Sequence, residues 1–426
     1  MKEVYRNAKI TLSADGAEDA SQGLFPPPEA RSAAHRSHGI ASEGPDGKPI
    51  TVFARLRAAK PSNPGSSPHS SLPTKPSKLS TRGWVYQERI LSRRIVHFFH
   101  EELVWSCYGQ QRCECRLTAS ASSFGAFRRL LSTPGSDKEL LRQWPSFVEE
   151  FTHKRLTVAT DRLPAISGLA ALMDEHLPDN GIDDRYLSGI WREDIEYSLL
   201  WMRDYGEAEE PIERFERTYT PSWSWSSVKG PIKYISRHQD QFTSRRSGDD
   251  EIDPVLRVSD ASSLQSRPTM GISPSVSFVK VMGQIMPVEY DLERKTLRPA
   301  GVSHDGPGLQ REPIIVFDVP SEVDEIAQFL RLSQLAERLT TNDEGGGDPS
   351  STGTRITTVP FLLMRAATYI WRGTWSTTSS EVVALLLAVS TQLSEDEIWC
   401  WRRGLVLHAF DSAVWQRLPT KTVTIF

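Results

Sequence analysis

Cysteine is scarce in this chain, four residues in 426, and no Asn-x-Ser/Thr acceptor site occurs anywhere. A disulfide framework and a glycosylated surface therefore find no support, and a reducing cytoplasmic or nuclear setting is expected. Long apolar runs are missing as well. The longest, Val382–Val389, falls far short of the ~20 residues that span a bilayer, and Met1–Lys9 is too charged to serve as a secretory leader. No sign of charge dominates: 50 Lys and Arg stand against 54 Asp and Glu, mixed along the chain. Neither a nucleic-acid partner nor a membrane surface is implied. Also absent are a Gly-x-Ser-x-Gly elbow, a Gly-rich phosphate loop ending in Lys-Ser/Thr, and a Gly-x-Gly-x-x-Gly turn, so hydrolase and nucleotide-loop readings lack their motifs.

What the chain does have is apolar and aromatic material, 38% hydrophobic with twelve Trp, enough for a packed core and for two or three domains. Three polar stretches interrupt it. Pro26 to Ser80 is rich in Pro, Ser and Gly, a composition that cannot bury enough surface to order itself, and reads as a disordered insert. Residues 236–270 and 340–354 read as surface loops, the second containing Gly345-Gly346-Gly347.

Periodicity between the breaks predicts an α/β first region. Ile10–Ala14, Ile95–Phe99 and Leu103–Cys107 read as strands, with the first expected beside the second. Helices are predicted to dominate from Ser122 to about Tyr205. Asp161 is placed as the cap of a helix carrying Leu163, Ile166, Leu169 and Met173, and Trp191, Ile195, Leu199 and Met202 as the stripe of another. Beyond Trp223 the pattern turns strand-like at Val276–Ile285, Ile314–Val319, Val382–Val389, Gly404–Phe410 and Val423–Phe426, with one helix over Glu322–Leu339.

The most informative segment is Thr81-Arg82-Gly83-Trp84-Val85-Tyr86-Gln87-Glu88-Arg89-Ile90-Leu91. On a helical period Trp84, Gln87, Glu88 and Leu91 share a stripe, which puts an amide and a carboxylate beside a large indole. A desolvated carboxylate needs a cation or stays protonated, and Arg82 is the first choice of partner, ahead of Arg89, Arg93 and Arg94. Two readings stay open for Glu88: a structural ion pair that locks the helix, or a catalytic or ligand-contacting carboxylate.

The same segment, with its Arg82, Trp84 and Gln87-Glu88, resembles the last motif of the fungal heterokaryon incompatibility (HET) domain. The blocks Asp161–Gly168, Gly189–Asp194 and Pro221–Val228 resemble sequence found downstream of it. The resemblance implies a partial HET-type, TIR-like α/β layer over residues 1–118, carrying the insert at 26–80, then a helical region at 119–210 and a β-rich region at 211–426. It implies a cytoplasmic protein of fungal self/non-self recognition that works by association with a protein partner or with itself in regulated cell death, without a cofactor. HET proteins open with two further blocks upstream of the segment matched by Met1–Ala14. The expectation is thus a truncated domain, inactive by itself. The alternative is a TIR-like NAD glycohydrolase with Glu88 as its catalytic carboxylate. There the family places its Glu three residues after the Trp, where this chain has Gln87. No cofactor-binding residue is assigned.

Two apparent sites have plainer explanations. Cys107, Cys113 and Cys115 lie near His97 and His100, but their spacing lacks paired knuckles, so reduced thiols are expected and no metal. Trp223-Ser224-Trp225 could stack a ligand, although alternating aromatics fit one face of a half-buried strand better, and packing is the expected role.

Overall fold

The computed structural model describes residues 2–25, 38–54, 77–99, 103–107, 110–113, 119–120, 127, 130–131, 133, 135, 137–179, 185–204, 214, 220–235, 251–262, 277–300, 313–324, 326–328, 358–372, 378–392, 398–407 and 412–426. The chain is mixed α/β and forms two compact units, residues 1–181 with 268–270, and residues 182–267 with 271–426.

The first unit is built on a five-stranded sheet in the order β1 (Thr11–Ser13), β4 (Arg94–Phe98), β5 (Leu103–Cys107), β6 (Gln111–Cys113) and β7 (Ala119–Ser120). β1 and β4 run parallel, with Thr11 opposite Ile95 and Ser13 opposite His97, so the expected neighbours do meet; the remaining pairings are antiparallel. The chain reaches β4 from helix α2 (Gly83–Leu91), and helix α1 (Lys2–Asn7) leads into β1. Helices Asp137–Thr152 and Pro164–Asp174 supply much of the core, with Trp144, Val148, Phe151, Ile166 and Leu169 all at 1% exposure or less. Pro164 opens its helix at the first position, where a missing N–H costs nothing.

Within the stretch read as a disordered insert, β2 (His38–Glu43) and β3 (Pro49–Ala54) form a hairpin. A Gly-Pro-Asp-Gly connection allows it: Gly47 sits at φ 72, and Gly44 N–H donates to the Lys48 carbonyl at 2.8 Å. Residues 26–37 and 55–76 lie outside the described residues.

The second unit is dominated by a large, mostly antiparallel nine-stranded sheet. Strand β14 (Phe278–Asp291) pairs through its first half with β20 (Thr420–Ile425) and through its second with β17 (Thr358–Arg372). β17 continues to β18 (Thr378–Gln392), β18 to β19 (Ile398–Leu407), and β19 lies parallel to β20, which closes the circuit, with β15 (Thr296–Pro299) added on β14 and β16 (Ile314–Phe317) on β19. Residues 382, 384, 386 and 388 of β18 join the cluster of Met286, Val288, Val359, Leu363, Val406 and Trp415. Val383, Leu385 and Leu387 on the other face are also buried, which explains why the strand reads as an unbroken apolar run instead of an alternating one.

Several expectations are corrected in this unit. Trp191, Ile195, Leu199 and Met202 are all buried, but only Ile195–Ser198 is α-helical. Trp191 closes a small hairpin, β8 (Tyr186–Leu187) with β9 (Ile190–Trp191), across Ser188 and Gly189, both at positive φ. That pair makes a tight hairpin turn that a helix cannot contain. Met202 belongs to β10 (Trp201–Arg203), paired with β11 (Ile232–Tyr234). The 236–270 stretch contributes strands β12 (Glu251–Pro254) and β13 (Arg257–Ser262). Of the helix expected at Glu322–Leu339, residues 322–324 and 326–328 are helical and the rest lies outside the described residues, as does 340–354.

A buried charge network ties this unit together. Arg402, without exposed surface, donates from Nε to Asp318 Oδ2 at 3.1 Å, donates to the carbonyls of Leu199 and Trp201, and stacks its guanidinium 3.7 Å from the Trp201 ring centre. Arg214 and Arg403 both pair with Glu322, at 2.7 Å and 2.6 Å.

Candidate functional site

The buried face of α2 is not the stripe that sequence spacing suggests. Gly83, Tyr86, Gln87, Ile90 and Leu91 face inward, while Trp84 and Glu88 flank them, half-buried. Gly83 sets this rotation: its N–H donates to the Arg155 carbonyl at 2.9 Å, and a Cβ there would stand 2.6 Å from Leu156 Cδ2. A larger residue at 83 would have to displace the Leu156 side chain for the helix to start so close to that loop.

Each motif residue has a definite place. Trp84 Nε1 donates to Asp161 Oδ2 at 2.9 Å. Gln87, 2% exposed, accepts at Oε1 from the Gly168 N–H at 2.5 Å. A Cβ on Gly168 would lie 2.5 Å from that same oxygen, so the helix contact requires glycine at 168. Asp161 is therefore not the cap of the Pro164–Asp174 helix. It ends a short 3-10 turn, Ala159–Asp161, and its carboxylate receives the indole.

The expected Arg82–Glu88 pair does not form. Arg82 is exposed at the helix start, and among the described residues Glu88 has no ion pair. The Tyr5 hydroxyl of α1 lies near it, with its pKa pushed up to about 12 by burial first and then by its interaction with the Glu88 carboxylate. The arginine on the next residue has gone elsewhere.

Arg89 reaches Asp15, a carboxylate with no exposed side-chain surface. Asp15 Oδ2 lies 2.7 Å from His97 Nδ1, and Oδ1 accepts from Ser77 Oγ at 2.8 Å and from Arg89 Nη2. Burial pushes the Asp15 pKa up, yet the His97 hydrogen bond, the Arg89 and His97 charges and the Ser77 hydroxyl together outweigh it and hold the group below its ordinary range. Asp15 follows β1, and His97 stands near the carboxyl end of parallel β4. Sequence spacing gave no hint of this cluster, since its members lie 62 to 82 residues from Asp15. One signal was present: polar residues at the carboxyl ends of strands expected to run side by side, where open α/β sheets place their chemistry.

With His97 bound to Asp15, Cys107 is half-buried, and Cys115, His100 and the Cys113 side chain lie outside the described residues. Among the described residues no group of three or more His, Cys, Asp or Glu could hold a metal. Trp223 and Trp225 are fully buried, but not on a strand: Ser224 Oγ accepts from the Ser226 N–H at 3.0 Å and caps the short 3-10 helix Trp225–Ser227. Trp225 Nε1 donates to the Gly189 carbonyl at 2.8 Å. None of the described helices is long and apolar enough to cross a membrane.

No family model, curated protein or solved structure matches the chain.

Proposed function

We propose that the first unit is a HET-type, TIR-like α/β module that works in the cytoplasm by associating with a protein partner, in fungal self/non-self recognition and regulated cell death, and not by catalysis. One observation carries this reading. The polar groups of the α2 motif are engaged inside the fold, Trp84 on Asp161 and Gln87 on Gly168, as a clamp between helices would be. Groups held in that way build a rigid surface and leave nothing directed at a substrate. Glu88, on which NAD cleavage would depend, is half-buried on the flank of α2 beside Tyr5.

The test is deletion of the gene in the source fungus, followed by heterokaryon formation with tester strains. Deletion should change which pairings die. Glu88→Gln should restore the wild-type outcome, Gln87→Leu should not, and cellular NAD should stay level until growth stops. Unchanged pairings after deletion would defeat the proposal. NAD loss that precedes arrest and vanishes in Glu88→Gln would favour the glycohydrolase.

A further inference from the structure

The five-stranded sheet has two unlike faces. Directly paired residues point to the same side, so Thr11, Ser13, Ile95, His97 and Val104 share one face, and Leu12, Val96, Trp105 and Arg112 form a row across the other. The first face is closed by α2. Thr11 Oγ1 meets Ser92 Oγ at 2.8 Å just past that helix, Arg89 reaches Asp15 beside His97, and Ile95, His97 and Val104 are all buried. The second face is open. Leu12 is 53% exposed, Phe25, set edge-on to Phe98 at one end of the face, is 64% exposed, and Val96, Leu103 and Trp105 are half-buried. A sheet face that stays in water normally alternates to polar residues, and this one carries an aliphatic and aromatic row instead.

The charges on this face are of one sign. Arg94 and Arg112 are exposed on it, Lys9 and Arg93 are exposed beside it, and among the described residues none of the four is in an ion pair. Arg94 Nη1 donates to the Lys9 carbonyl at 3.4 Å and Arg112 Nε to Gln110 Oε1 at 2.9 Å, so both guanidinium groups keep their charge uncompensated. No carboxylate stands among the described residues of the face. Arg94 on β4 and Arg112 on β6 lie two strands apart, about 10 Å at the ordinary strand spacing, with Trp105 on the strand between them. That is the width of an α-helix with its side chains. A helix laid along β5 would rest its apolar stripe on Trp105 and Val96 and bring one flank to Arg94 and the other to Arg112.

We propose that this open face is where the partner of the first unit docks, and that the partner presents an amphipathic helix with Asp or Glu on both sides of its apolar stripe. The inference rests on the proposed association with a protein partner and supplies the surface and the chemistry for it. Val96 and Trp105 are half-buried, which suits a helix face pressed into the sheet and not a flat lipid surface that meets only the outermost groups.

The probe is a labelled synthetic helix of about 14 residues, with Leu along one stripe and Glu on both flanks, titrated with the full chain at low salt and followed by fluorescence anisotropy. Saturable binding with a Kd on the order of 10–100 µM is expected, and hydrogen exchange should slow over residues 94–98 and 103–107 but not over the hairpin at 38–54. Arg94→Glu with Arg112→Glu, both at exposed positions, should keep the circular dichroism of the wild type, weaken binding at least about tenfold, and take up instead a peptide with Lys in place of Glu. Lys48→Glu on the hairpin should leave binding as it was. No binding, binding indifferent to the double variant, or protection confined to other segments would overturn the proposal. Sedimentation of the chain with vesicles of phosphatidylcholine and phosphatidylserine, lost in the double variant while the peptide fails to bind, would overturn it in favour of a membrane surface. Failure here is distinguishable from failure of the recognition role: pairings unchanged by gene deletion would remove that role and leave peptide binding intact, whereas altered pairings without peptide binding would remove this face and leave the role.

Discussion

Asp15→Ala removes the one carboxylate on which Arg89, His97 and Ser77 converge. The side chain has no exposed surface, and its partners come from three separate segments, so the loss is felt by β1, β4 and α2 together. Breaking a buried ion pair by deleting one member costs about 3–5 kcal/mol, because the other is left charged without a partner. Arg89 and His97 keep 17% and 10% of their side-chain surface exposed, which lets water recover part of that cost. About 3 kcal/mol is therefore expected for the first unit, and about 1.5–3 kcal/mol for Asp15→Asn, which keeps an acceptor but loses the charge. The pH dependence has a defined sign. A carboxylate whose folded pKa is depressed contributes fully above its unfolded value, and that contribution is lost as pH falls through the folded value. The gap between wild type and Asp15→Asn should thus be constant from neutral pH to about 5 and shrink below about 4, where Asp15 of the unfolded chain takes up its proton before the folded group does. Because the chain has two units, a single global melt would mix them. Hydrogen exchange in urea, read on peptides covering residues 10–25 and 92–107, isolates the relevant transition. A loss under about 1 kcal/mol for Asp15→Ala, or a gap that stays unchanged at about pH 3, would refute the reasoning.

Three further predictions concern packing and pairing. Arg402→Lys keeps the charge but loses the planar group that reaches Asp318 and two carbonyls while lying over Trp201, and should destabilise the second unit by about 3–5 kcal/mol, read from exchange on residues 398–407. Gly168→Ala regains up to about 1 kcal/mol of helix propensity but crowds Gln87, so a net loss of about 1–2 kcal/mol is expected, and Gln87→Ala in the same chain should recover most of it; additive losses in the double variant would contradict the clamp. Glu88→Ala should cost only about 0.5–1.5 kcal/mol, because the carboxylate is half-buried and has no ion pair among the described residues. In the same variant the Tyr5 pKa should fall from about 12 toward its ordinary value in an ultraviolet pH titration, and a Tyr5 titration that does not move would place the two groups apart.

What local periodicity specifies, it specifies well here. Leu103–Cys107 forms the strand read from its composition, Ile10–Ala14 contains β1, Ile95–Phe99 overlaps all of β4 but its first residue, and the apolar run Val382–Val389 lies within β18. The β-rich character of the second unit was equally legible. The rotation of α2 was not, because it depends on Gly83 pressing against Leu156 and Gly168 against Gln87, contacts made across 73 and 81 residues of chain. That small rotation moved Glu88 from the buried stripe to its flank and made Gln87 the buried polar residue. The same holds for Asp161, which composition marks as a cap and the fold uses as the acceptor for Trp84, and for Asp15, an unremarked residue after a short strand whose carboxylate the fold encloses completely. Alternation and helical stripes are properties of neighbours along the chain, so sequence alone marked strands such as Leu103–Cys107 but misread the stripe from Trp191 to Met202 as one helix, where the fold makes a hairpin, a short helix and a strand. Which polar group meets which, and which sheet face is left open, depends on the three-dimensional meeting of distant segments, where a glycine's missing Cβ or one buried hydrogen bond selects among faces that periodicity leaves almost equivalent.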